Sequence, residues 1–395
     1  GLGILIIQYW GKRDLKSISR AIGVACMLGC ALAAVLAVVF FLFPVQVMDL
    51  MSNKHHLSLL GAPYLKIIGI SYVFNMASSV YASAQRSVEN SSFGMKLFGV
   101  STLINTGLNY LLIFGKLGFP MLGVEGAAIA TLCARISEFL ICLVYALRDK
   151  RICIHWPSFF RPGFDMLQRF VKYASPVILN EAAWGLGNSM LTVVLGYTEN
   201  SVQMLAANAV MGNLNRLFLV VCFGLGAATA VMVGKAIGEG QRHEDVMSLS
   251  RALLLFTVVV GAVLAAISLL LIPTLFVPVV FPLFKLFDES AHIAAVLAIT
   301  AFAGIPLHAY TISAITGVLR SGGDVGWATV FDLLPQWLMA LPLTALCALV
   351  FKWGIWPIAI AMQTESLLKI PLCLIRIRSG KWIHDVTRTG GGEAA

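Results

Sequence analysis

Apolar runs long enough to cross a bilayer follow one another along this chain, and no other feature constrains its fold as much. A span needs about 20 consecutive apolar residues, because a helix rises about 1.5 Å per residue through a hydrocarbon layer about 30 Å thick. Ten segments qualify, near 21–43, 59–85, 93–115, 121–147, 170–196, 204–234, 251–284, 291–319, 326–351 and 354–377, and residues 1–10 read as the tail of an eleventh. Lipid offers no partner for a free backbone N–H or C=O, so such segments are helices. The chain therefore reads as an all-α polytopic membrane protein, with the lipid bilayer as its solvent.

Charge orients the spans. The net charge of +9 does not mark nucleic-acid binding, because only 12% of residues are charged and the basic ones sit in short clusters between spans. Alternate connectors carry Lys12, Arg13, Lys16 and Arg20, then Arg86 and Lys96, then the run from Arg148 to Lys172, then Lys235, Arg242 and Arg251, then Arg320, and last Arg376, Arg378, Lys381 and Arg388. The opposite set holds only Lys54, Lys66, Lys116, Lys285 and Lys352. The positive-inside rule puts the first set and the C-terminus in the cytoplasm of a multi-pass inner-membrane protein. The eight cysteines fall mostly inside spans without paired metal spacing, so they read as small core residues.

An internal repeat organises the spans. GLGILIIQYWG (1–11) aligns with GLGAATAVMVG (224–234), Arg86-Ser87 with Arg320-Ser321, and GVEGAAIA (123–130) with GIWPIAIA (354–361), in the same order at offsets between 223 and 234 residues. Two parallel copies of six helices follow, twelve in full and about ten complete here. This predicts an N-lobe over 1–155, a C-lobe over 156–385 and a disordered tail over 386–395. The second copy begins near 164, so the first is expected to begin about 60 residues before Gly1.

The motifs LNYLLIFG (108–115), LGVEGAAIAT (122–131), SPVILNEAAWGLG (175–187), GLGAATAVMVGKAIGEG (224–240) and GVLRSGGD (317–324), in this order, resemble the multidrug and toxic compound extrusion (MATE) family. On that resemblance the chain lacks the N-terminal helix and most of the second. The resemblance implies a V-shaped pair of lobes around a central cavity, alternating access, and export of small cationic or amphiphilic compounds driven by H+ or Na+. No other cofactor and no enzymatic activity is expected, and the chain is taken as a monomer. The family's first helix usually carries an acidic coupling residue, which lies outside this sequence. Its seventh helix carries a functional glutamate, which corresponds to Glu181.

Glu181 also stands out on physical grounds. It lies about eleven residues into its segment, ~16 Å deep and near the midplane, where a carboxylate costs about 2.5 kcal/mol or more. Burial favours its protonated form and a bound cation its ionised form. One carboxylate can thus hold a proton, a Na+ ion or a cationic substrate, one at a time, and such mutual exclusion is the chemistry of an antiporter. Asn180 would supply a neighbouring ligand, and Pro176 a locally freed carbonyl. The structural alternative is an ion pair with Arg216, which could still modulate the site.

Asp332, with Gln336 one turn on, is a second candidate, either a cavity lining or a structural hydrogen bond. Asn208, with Asn105, Asn109, Asn188, Asn213 and Asn215, would line a cavity or join helices. Arg135 with Glu138, and Glu365 with Lys369, have the spacing of pairs that satisfy each other. His308, after Pro306, could titrate near neutral pH, though a lone histidine is more often a satisfied core residue, and the glycines of GLGAATAVMVG read as a close-packing face. Two other function classes compete. A membrane enzyme lacks support: H-E-x-x-H and G-x-S-x-G are absent, and RSGGD (320–324) only approaches an intramembrane aspartyl motif. A flippase for lipid-linked saccharides would need a strongly cationic cavity, whereas Arg135 and Arg216 each have an acidic partner available.

Overall fold

The computed structural model describes residues 1–51 and 55–387. Helices account for nearly all regular structure; the one β feature among the described residues is an isolated bridge between Gly323 and Ile383. The chain divides into two compact units, residues 2–171 and 172–395. The expected tail from 388 onward lies outside the described residues, and Val386 just before it is buried.

In the first unit, α1 (Leu2–Gly11), α2 (Leu15–Leu42), α3 (Pro44–Met51), α4 (His55–Ser87), α5 (Ser91–Phe114), α6 (Gly123–Arg148) and α7 (Trp156–Phe160) precede the start of α8 (Phe164–Gly196). Asp14 caps α2 by accepting from the Ser17 amide. α4 is the centre of the unit, packed on α2 and α6, with α5 against α6. Arg135 and Glu138 pair at 2.6 Å, as their spacing predicts, and Glu138 is buried. Asn105 donates to Thr131 across α5 and α6, so here asparagine joins helices.

The second unit continues with α9 (Ser201–Gly238), α10 (His243–Leu283), α11 (Asp288–Ala303), α12 (Ile305–Leu319), α13 (Val325–Val350) and α14 (Ile355–Arg378). α12 is the hub, lying against α9, α10 and α14. The expected span 291–319 is two helices, α11 and α12, bent by 47°. Pro306 explains the break, since it offers no N–H to the preceding turn. Stretches of π-helix interrupt three helices, at Ile272–Val280, Ser313–Leu319, and both Gln336–Ala340 and Leu346–Val350.

Among the described residues, eight helices are long and apolar enough to cross a membrane, or nine with α11 and α12 taken as one span. The difference from ten is α8, which has the length, 33 residues, but in which Asn180, Glu181, Asn188 and Ser189 dilute the hydrophobicity.

Candidate functional site

One of the polar residues that dilute α8, Asn180, joins two of its backbone carbonyls in holding it to α13. The Thr329 hydroxyl donates to the Pro176 carbonyl at 3.3 Å, the Asn180 amide to Asp332 at 2.8 Å, and the Gln336 amide to the Trp184 carbonyl at 3.3 Å. Residues 176, 180 and 184 are four apart and so share one face. Gly187 makes room for the last rung, since a Cβ there would stand 2.5 Å from Gln336 Nε2. Ile178, Leu179 and Leu186, on other faces of α8, stay exposed.

Glu181 is next to this ladder but outside it, with 63% of its side chain exposed. Its counter-ion is Arg320, Nη1 to Oε1 at 3.2 Å. This corrects the expected pair with Arg216, which is exposed on α9 and forms no ion pair among the described residues. Arg320 follows the π-helical end of α12 and is itself buried. Its long side chain reaches back along the helix, so a residue that the sequence places in a connector carries its charge inward.

Arg320 is shared. Its Nη2 lies 3.4 Å from Asp332 Oδ2, the oxygen that also accepts from Asn180. The other Asp332 oxygen is 2.9 Å from Lys369 Nζ, which is in turn 3.6 Å from Glu365. The pairing of Glu365 with Lys369 is present, but the closer partner of Lys369 is Asp332. Beyond Glu365 stands His308, 3.9 Å away, so this histidine is not alone. Asp332, Glu365 and Lys369 are each more than four-fifths buried. Charges at such positions persist only when paired, and each of these is.

Within 172–395 the structure thus gathers Glu181, Asn180 and Asp332 from the sequence candidates and adds Arg320, Lys369, Glu365 and His308. Asn208, half-buried on α9, makes no hydrogen bond to the cluster. The oxygen of Asn180 is buried without a hydrogen-bond partner, an acceptor left over beside Glu181. Asp324 of RSGGD is held by Arg376 at 2.7 Å, a structural ion pair. No group of three or more His, Cys, Asp or Glu side chains among the described residues is arranged to hold a metal ion.

Comparisons with known proteins fit this arrangement. The chain is 25% identical to the probable multidrug resistance protein YoeA of Bacillus subtilis over 382 residues, 94% of this chain and 79% of the relative. It is 24% identical to the probable multidrug resistance protein NorM of Thermotoga maritima, covering 81% and 67% of the two chains. Among solved structures, the outward-facing conformation of a multidrug resistance MATE family transporter of the MOP superfamily superimposes with a TM-score of 0.84 at 18% identity, over 96% of this chain and 83% of that one. A MATE in the bent conformation gives 0.82, with the same identity and coverage. The MatE family model matches residues 1–111 and 176–346. These stretches hold Glu181, Arg320 and Asp332, and the chain belongs to the MatE family.

Proposed function

We propose that this chain exports small cationic or amphiphilic compounds across the inner membrane by alternating access, in exchange for H+ or Na+, with Glu181 as the exchange site. The observation that carries this reading is a carboxylate uncovered by protein on one side and held on the other by a buried arginine, 3.2 Å away. A proton, a Na+ ion or a cationic substrate arriving at Glu181 competes with Arg320 for the same oxygens. When it binds, Arg320 falls back on Asp332, which it already approaches at 3.4 Å. Asn180 would lend its unpartnered oxygen to a Na+ ion at Glu181, and Asn208 is assigned to the cavity lining. Arg320 takes the modulating role expected of Arg216. The relatives named as multidrug resistance proteins support the substrate class.

The repeat assigns 1–155 and 156–385 to the two lobes of a monomer with a cytoplasmic C-terminus. A saccharide flippase is disfavoured, because Arg320 and Lys369 are both neutralised by carboxylates and leave no charge for a diphosphate. The test is ethidium efflux from proteoliposomes under separately imposed H+ and Na+ gradients. Glu181→Gln should abolish gradient-driven efflux while the protein stays folded, and wild-type efflux by that variant would remove Glu181 from the mechanism.

A further inference from the structure

Five charged side chains of the second unit form one alternating row. From Glu181 it passes through Arg320, Asp332 and Lys369 to Glu365, with contacts of 3.2, 3.4, 2.9 and 3.6 Å. The row begins and ends on a carboxylate, so three negative charges face two positive ones and one negative charge is left over. A low-dielectric interior penalises that remainder and draws one positive charge to it.

Among the side chains, two places can take that charge. One is Glu181, at the exposed end of the row. The other is His308, whose Nε2 lies 3.9 Å from Glu365 and 3.5 Å from the Ser366 hydroxyl. The His308 Nδ1 stands 3.1 Å from the Gly304 carbonyl, at the break between α11 and α12. A carbonyl only accepts, so Nδ1 carries the hydrogen and Nε2 of the neutral ring is the free base, on the Glu365 side. The charged groups acting on His308 are Glu365 and Lys369, both from α14; none comes from α9, α10, α11 or α13 among the described residues.

We propose that His308 with Glu365 is a second cation site, whose ligand is a proton exchanged against the cation taken up at Glu181. This rests on the reading of Glu181 given above. A cation on Glu181 releases Arg320 to Asp332, Asp332 loosens its hold on Lys369, and Lys369 closes on Glu365. The row is then neutral without the imidazolium, and the proton on Nε2 leaves to water. Proton entry at His308 runs the same shifts backwards, returning Arg320 to Glu181 and expelling the cation. Protonation at one end and cation binding at the other are therefore negatively linked, and reciprocally so.

The experiment titrates ethidium into the purified full chain in detergent and weak buffer, with a pH indicator reading released protons. Wild type should release up to one proton per ethidium bound, and bind about tenfold more weakly at pH 5.5 than at pH 8.5. His308→Gln should release none and keep the high-pH affinity across the range. Glu365→Gln, which leaves the row neutral, should also release none and bind ethidium more weakly. Undiminished proton release from folded His308→Gln would overturn the proposal; if that variant does not fold, Glu365→Gln decides by the same readout. The failure of the earlier reading looks different, since Glu181→Gln would then bind ethidium as wild type does.

Discussion

Two lysines of this chain make the same kind of contact in opposite surroundings. Lys352 pairs with Glu199 at 2.8 Å between two exposed connectors, while Lys369 pairs with Asp332 at 2.9 Å with 6% of its side chain exposed. Lys369→Met strands two carboxylates in the interior and should cost about 3–5 kcal/mol, seen as a lower thermal midpoint in detergent. Adding Asp332→Asn should recover part of that loss. The hydrogen bond from Lys352 holds the Glu199 carboxyl below its ordinary value. Folding then favours ionised Glu199, a contribution present at neutral pH and lost as pH falls through the carboxylate range. Both groups are exposed, so water and salt screen the contact, and Glu199→Gln should leave the thermal midpoint unchanged. Glu181 was legible in the sequence because a charge inside an apolar run has few explanations. Its counter-ion was not, because Arg320 follows its span and only a long side chain folded back along the helix brings the charge inside. Likewise the spacing of Glu365 and Lys369 is local and visible, while the approach of Asp332 from another helix is not.

At the scale of elements, close approach and irregular backbone position the charged row. α9 meets α12 through small residues: a Cβ on Gly317 would stand 2.8 Å from the Thr229 Cβ, whereas one on Gly224 would meet nothing within 4 Å. Gly317→Ala should therefore destabilise by about 1–3 kcal/mol, since a packed helix seam must open. Gly224→Ala, in the glycine-rich motif that also holds Thr229, should stay within about 0.5 kcal/mol, and thermal melts of the two purified variants check the contrast. The break at Gly304 has a local cause in Pro306, so the residues contain it even though hydropathy alone reads one span. The π-helical stretches were hidden, since widening a helical turn requires no particular residue. Two of them flank the site, ending just before Arg320 and beginning at Gln336, one turn after Asp332.

At the scale of the molecule, hydropathy was enough for the fold class and most of the spans, because lipid imposes helices on any apolar run of that length. α8 is the least apolar of the spans read from the sequence, because Asn180, Glu181, Asn188 and Ser189 interrupt it. The sidedness proposed from the basic connectors predicts that a reporter active only in the cytoplasm works when fused after Lys381 and fails when inserted at Lys352. The reverse result would invert the topology and put Arg320 at the outer face.

The row from Glu181 to Glu365 also has a parity. With carboxylates at both ends its length is odd, and an odd alternating row always carries one vacancy, which can move but cannot vanish. Replacing one interior member changes the count, whereas removing two neighbours of opposite sign, such as Lys369 with Glu365, leaves Glu181, Arg320 and Asp332, still odd and still one charge short. Such a double change keeps the charge count of the row but removes the carboxylate beside His308, so it separates charge balance from the proposed second site.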